Sequence, residues 1–75
     1  MPEIDFSPLR LFLKTLPREE KEAFASECGT SLGYLYKRMS QKMPFGYQIS
    51  RNIARKGVMT PQQLRPADHG NYTWN

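Results

Sequence analysis

The stretch AFASECGTSLGYLYKRMSQ, residues 23–41, decides how this chain is read. Within it Ala25, Gly29 and Leu35 stand where two helices crossing through a tight turn make three demands. The first helix needs a small residue where the second passes close, the turn needs a residue that tolerates positive φ, and the second helix needs an aliphatic plug. Thr30 or Ser31 can cap that second helix, of about nine residues, which then turns Leu35 and Met39 inward against Phe24 and Ala25. Its other face presents Ser31, Leu32, Gly33, Tyr36 and Lys37, because Leu32 with Tyr36 and Gly33 with Lys37 lie one turn apart. A glycine inside a helix costs about 1 kcal/mol relative to alanine. Two compensations are open at Gly33: close approach of the helix backbone to a partner, or crowding against a neighbouring helix.

Working outward, the punctuation divides the chain into about five short helices, and the β signal is weak throughout. Ser7 and Pro8 read as the start of a helix carrying Leu9, Leu11, Phe12, Leu13 and Leu16. Pro17 ends it and opens the next, with Glu19, Glu20 and Glu22 early against the macrodipole, Phe24, Ala25 and Cys28 inward, and Gly29 as a left-handed stop. MPFG at 43–46 reads as a loop, Tyr47 to Lys56 as a fourth helix holding Ile49 and Ile53 inward, and Gly57 as its end. Thr60 and Pro61 begin a last helical turn that places Leu64 on the core. The expected architecture is an all-α compact bundle over residues 1–66, followed by an irregular tail or arm at 67–75. Tyr72 and Trp74 in that tail suit either folding back or insertion into a partner subunit, and the second is the favoured expectation.

Charge is distributed unevenly. Six acids face four bases before Cys28, and one acid faces seven bases from there on, giving about −2 and +6. Between Cys28 and Ala67 there is no Asp or Glu, while Lys37, Arg38, Lys42, Arg51, Arg55, Lys56 and Arg65 all fall there. A polyanion is the natural partner of such a segment, and a duplex groove is where a basic surface and an exposed helix meet. Composition, at 39% apolar and 24% charged, is that of a folded domain rather than a disordered chain. No apolar run suits a bilayer, and MPEIDF lacks the features of a signal peptide, so a cytoplasmic location without membrane association is expected. The lone Cys28 and lone His69 have no companions at metal-ligand spacing, and no cofactor is expected. Cys28 reads as a small buried hydrophobe and His69 as a solvated tail residue.

At AFASECGTSLGYLYKRMSQ, especially CGTSLGYL, and at LRPAD, residues 64–68, the chain resembles the small Cro-like and YdaS-like repressors and antitoxins of phages and prophages, within the lambda-repressor-like helix-turn-helix class. The resemblance covers about Glu19 to Asp68. It departs at Arg38, where many members carry a bulky apolar residue, and at SRNIARKG, residues 50–57. It implies a domain of about five helices that binds operator DNA, usually as a homodimer on a two-fold site, to repress transcription. The base-reading role falls on Ser31, Leu32, Gly33, Tyr36 and Lys37, and phosphate contacts on Gln41, Lys42 and Tyr47. Arg38, next in the basic run, is a further phosphate candidate.

Other classes have their own signals. The acids Glu19, Glu20 and Glu22 beside Arg18 and Lys21 form a solubilising helix face rather than an acid–base pair, and no nucleophile set or glycine-rich phosphate loop is present, so an enzyme is not expected. An antitoxin or anti-repressor, working through a toxin or repressor protein, is the first rival, favoured by the weak hydrogen-bonders Leu32 and Gly33 at reading positions. A single-strand or RNA binder using Tyr34, Tyr36, Phe45 and Tyr47 as stacking platforms is the second.

Overall fold

The computed structural model describes residues 4–74, which form five α-helices, one 3-10 turn and no strand. The helices are α1 (Ser7–Lys14), α2 (Arg18–Glu27), α3 (Leu32–Gln41), α4 (Tyr47–Arg55) and α5 (Pro61–Leu64), followed by the 3-10 turn His69–Asn71. The all-α bundle expected from the punctuation is the architecture found.

Helix α1 starts differently from its expected cap. Phe6 takes the capping position with its ring buried, and Ser7 is already helical. Asp5 supplies the missing acceptor: its Oδ1 takes hydrogen bonds from the Ser7 amide at 2.9 Å and the Ser7 hydroxyl at 2.6 Å. These bonds favour the ionised carboxylate and hold it below its ordinary range. Leu9 and Leu13, four apart, are buried, while Leu11 points the other way and is 64% exposed.

Helix α2 begins after Pro17 and buries Phe24 and Ala25; Cys28, its cap, is also buried, and the Phe24 ring lies 5.1 Å from that of Phe12. The helix stops at Gly29, φ 85°, through a pair of bonds that satisfies its last carbonyls: Thr30 N–H to Ala25 at 3.0 Å and Gly29 N–H to Ser26 at 2.9 Å. Asn52 of α4 donates its Nδ2 to the Cys28 carbonyl at 3.0 Å and so ties a third helix to the turn. Burial pushes the Cys28 thiol up to about 11, which leaves it inert at neutral pH.

The Ser31 hydroxyl caps α3 by accepting the Tyr34 amide at 3.2 Å, and Leu35 and Met39 face inward. Its far end turns on Lys42 in the left-handed region, φ 54°, which glycine usually fills; the Met43 amide then reaches back to the Arg38 carbonyl at 3.2 Å. From there the loop 43–46 drives Phe45 into the centre, where it is fully enclosed and meets the Phe6 ring edge-on at 5.4 Å.

Helix α4 buries Ser50 and Ile53, and Ile49 only partly, so its inward stripe is centred one residue later than expected. The reason is polar. Ser50 Oγ donates to the Phe45 carbonyl at 3.3 Å, and a small side chain lets α4 close over the loop. Thr60 and Gln63 form a reciprocal capping box on α5, which delivers Leu64 to the core beside Met59.

The segment after α5, expected as a tail or arm, folds back on the chain. Arg65 grips Asp68 with two parallel bonds of 2.8 and 2.9 Å, donates Nη1 to the Phe45 carbonyl, and lies 5.3 Å over the Tyr72 ring. Tyr72 stacks on Tyr47 at 4.7 Å, and Trp74 meets Tyr47 edge-on at 5.7 Å while donating Nε1 to the His69 carbonyl at 2.8 Å. Of the two alternatives for the terminal aromatic pair, folding back is the one the chain adopts. His69 is not solvated as expected: it is half-buried, with Nδ1 enclosed and without a hydrogen-bond partner.

Truncating Phe45→Ala should cost about 3–5 kcal/mol, a large part of the margin of a domain this small, read as a fall in the urea midpoint. A midpoint shift of under about 1 kcal/mol would contradict the central role of that ring. The Arg65 guanidinium holds the Asp68 carboxyl below its ordinary 3.8. A carboxylate depressed in the folded state stabilises above its unfolded value and loses that contribution as pH falls through the folded one. Acidification from about pH 7 to about pH 3 should therefore lower the urea midpoint less in Asp68→Asn than in the parent chain.

Candidate nucleic-acid interface

The outward face of α3 follows from which residues its core contacts consume. With Leu35 and Met39 turned in, Ser31, Gly33, Tyr36 and Lys37 are exposed, Tyr36 at 38%. Ser40 joins them and its hydroxyl bonds back to the Tyr36 carbonyl at 3.0 Å; it lies one turn beyond Tyr36 and three residues beyond Lys37, a spacing that could have revealed it. Leu32, expected on this face, is half-buried and packs against the core, because it falls close in rotation to Leu35 and Met39.

Of the two compensations left open for Gly33, crowding against a neighbouring helix is removed. A Cβ built at this position meets no atom within 4 Å, so no neighbouring helix crowds it. The residue leaves a bare strip of helix backbone on the exposed face. Gly29 in the turn is different: its φ of 85° is a backbone conformation that side-chain-bearing residues rarely adopt, while the Asn52 amide, 3.9 Å from an added Cβ, would make only an ordinary contact.

The acid-free segment does not form one continuous basic face. Lys56 pairs with Glu27 and lies 5.7 Å from the centre of the Phe24 ring, and Arg65 is committed to Asp68. Arg38, expected to contact phosphate, is half-buried about 100° round from Lys37; its Nε donates to the Tyr34 hydroxyl at 2.9 Å and its guanidinium sits 5.4 Å over that ring. It braces the end of α3. Tyr47, also expected at phosphate, donates its hydroxyl to the Thr73 carbonyl and is sandwiched in the C-terminal aromatic cluster. Gln41 and Lys42 are exposed at the end of α3.

Cations from the N-terminal half take up positions beside α3 instead. On its α2 side runs a groove lined by Arg18, Lys21, Glu22, Thr30, Ser31, Leu32, Gly33 and Tyr36. On its α1 side a second groove is lined by Ser7, Arg10, Leu11, Lys14 and Tyr36. Tyr36 is the ridge between them. Arg10, Lys14, Arg18 and Lys21 were hidden in the sequence because the half that carries them is net acidic. Packing brings Arg10 and Lys14 to a groove wall that carries no acid, while Arg18 and Lys21 share theirs with Glu22.

The arrangement offers little for other chemistries. Glu22 is engaged by Arg18 at 3.3 Å on an exposed helix surface, and among the described residues no group of His, Cys, Asp and Glu could hold a metal ion. No helix among them is long and apolar enough to cross a membrane. No protein-family model, curated protein or solved structure matches this chain.

Proposed function

We propose that this chain is a sequence-specific double-stranded DNA-binding repressor of phage or prophage type that reads operator DNA through α3. The observation that carries the proposal is Gly33. A helical glycine on an exposed face, without a neighbour to explain it, is a cost to folding that a closely approaching partner surface offsets. The residues around it suit a duplex: Ser31, Tyr36 and Lys37 can donate to base edges, Ser40, whose proton goes to the Tyr36 carbonyl, can accept there, and cations stand in the grooves on either side. Gln41 and Lys42 at the end of α3 are placed for phosphate oxygens. A homodimer on a two-fold site would repress by covering a promoter element and excluding polymerase.

The rival readings lose ground on particular residues. A stacking platform for single strands needs open aromatic faces, and of its four candidates Phe45 is enclosed, Tyr34 is held by Arg38 and Tyr47 by Tyr72. An antitoxin or anti-repressor acting through another protein drew on Leu32 and Gly33; Leu32 is half-buried, and the exposed Gly33, Leu11 and Met43 are what it retains.

Selection of bound sequences from a random duplex pool should return a palindromic consensus. Retention of no duplex at low ionic strength would overturn the proposal. Three variants refine it. Gly33→Ala should raise stability by about 0.5–1 kcal/mol while weakening specific binding, and Lys42→Gly, which suits the left-handed backbone, should likewise stabilise the fold yet weaken all duplexes alike. Lys37→Ala should change the consensus itself. Equal effects of the Lys37 and Lys42 variants on every sequence would contradict the assigned roles.

A further inference from the structure

We infer that α1 is a second DNA-contacting element, in which Arg10 and Lys14 hold one sugar-phosphate strand alongside α3. This inference rests on the reading of α3 as the helix that enters the groove. Burial of Leu9 and Leu13 fixes the rotation of α1, and the flank about 100° round from them then carries Arg10 and Lys14 four residues apart, about 6 Å along the helix axis. Both side chains line the groove whose other wall is Tyr36, on the exposed face of α3. Arg10 also lines the adjoining groove with Met39 and Lys42, so the cations of α1 continue toward the charge at the end of α3.

Charge separates this wall from the one across α3. The α1 groove holds two cations and no acid, whereas the α2 groove holds two cations and Glu22, which is paired with Arg18. Asp5, the acid that the adjoining groove carries among the described residues, accepts from both the amide and the hydroxyl of Ser7. Neither Arg10 nor Lys14 has an ion-pair partner among the described residues. The exposed Leu11 between them sits where the apolar edge of a deoxyribose would pass once phosphates engage its neighbours.

Counterion release gives the test its scale. Each phosphate contact contributes about 0.9 to the slope of log affinity against log salt, so Arg10→Gln/Lys14→Gln should flatten the slope by about 1.8 and leave the selected consensus unchanged. Lys56→Gln, removing a cation that pairs with Glu27 beside the Phe24 ring, should leave the slope as it was, and matching thermal melts would show that the double variant is folded. If the parent chain binds duplex and the double variant keeps its full slope, the role of α1 is overturned while the reading of α3 stands. If Leu11→Ser shifts the chain from dimer to monomer in sedimentation while the double variant keeps its slope, the face belongs to a second copy and the inference fails. If the parent chain binds no duplex, the underlying reading falls first.

Discussion

The direction of α3 depends on one carbonyl. The Cys28 oxygen lies at the end of α2, where an unsatisfied buried acceptor costs about 1–3 kcal/mol, and Asn52 reaches across from α4 to satisfy it at 3.0 Å. That bond fastens the turn at the point where Gly29, at φ 85°, reverses the chain. Ala25 before the turn and Leu35 after it are both wholly enclosed, so α2 and α3 meet on either side of a fixed pivot. What α3 shows to the outside is the residue set left over once this pivot and the core have taken theirs.

A second fastening lies at the other end of α3. Phe45 fills the centre of the core, and its carbonyl accepts from both Ser50 and Arg65. One loop residue therefore gathers α4, the segment after α5 and, through ring contacts with Phe6 and Tyr34, the start of α1 and the first turn of α3. Arg65 extends the network through Asp68 and Tyr72 to Tyr47, which places the C-terminal segment within the folded unit.

Much of the fold was legible because local chemistry announced it. Gly29, Ser31, Thr60 with Pro61, and Gly57 each occupy the turn or cap that their backbone preferences dictate. What escaped depended on tertiary partners. Ser50 is buried because a carbonyl from the preceding loop needs a donor, and Lys42 adopts a glycine's conformation; neither follows from periodicity. The site was legible to the same extent. Rotation about α3 placed Ser31, Gly33, Tyr36 and Lys37 outward, but counting charges along the chain could not show that Arg38 bonds to Tyr34 and Lys56 to Glu27, or that Arg10 and Lys14 line a groove beside α3. Charge belongs to faces, and faces are known only after packing.

Lys42 carries a consequence of its own. A left-handed lysine costs about 1–2 kcal/mol where glycine costs little, against a total margin of order 5–15 kcal/mol for a small domain. The same kink fixes the direction in which its Cα–Cβ bond departs, while the flexible four-carbon stem beyond it still sets where the ammonium goes. The chain gives up a measurable share of its resistance to unfolding and gains a long cationic side chain at the point where the loop begins.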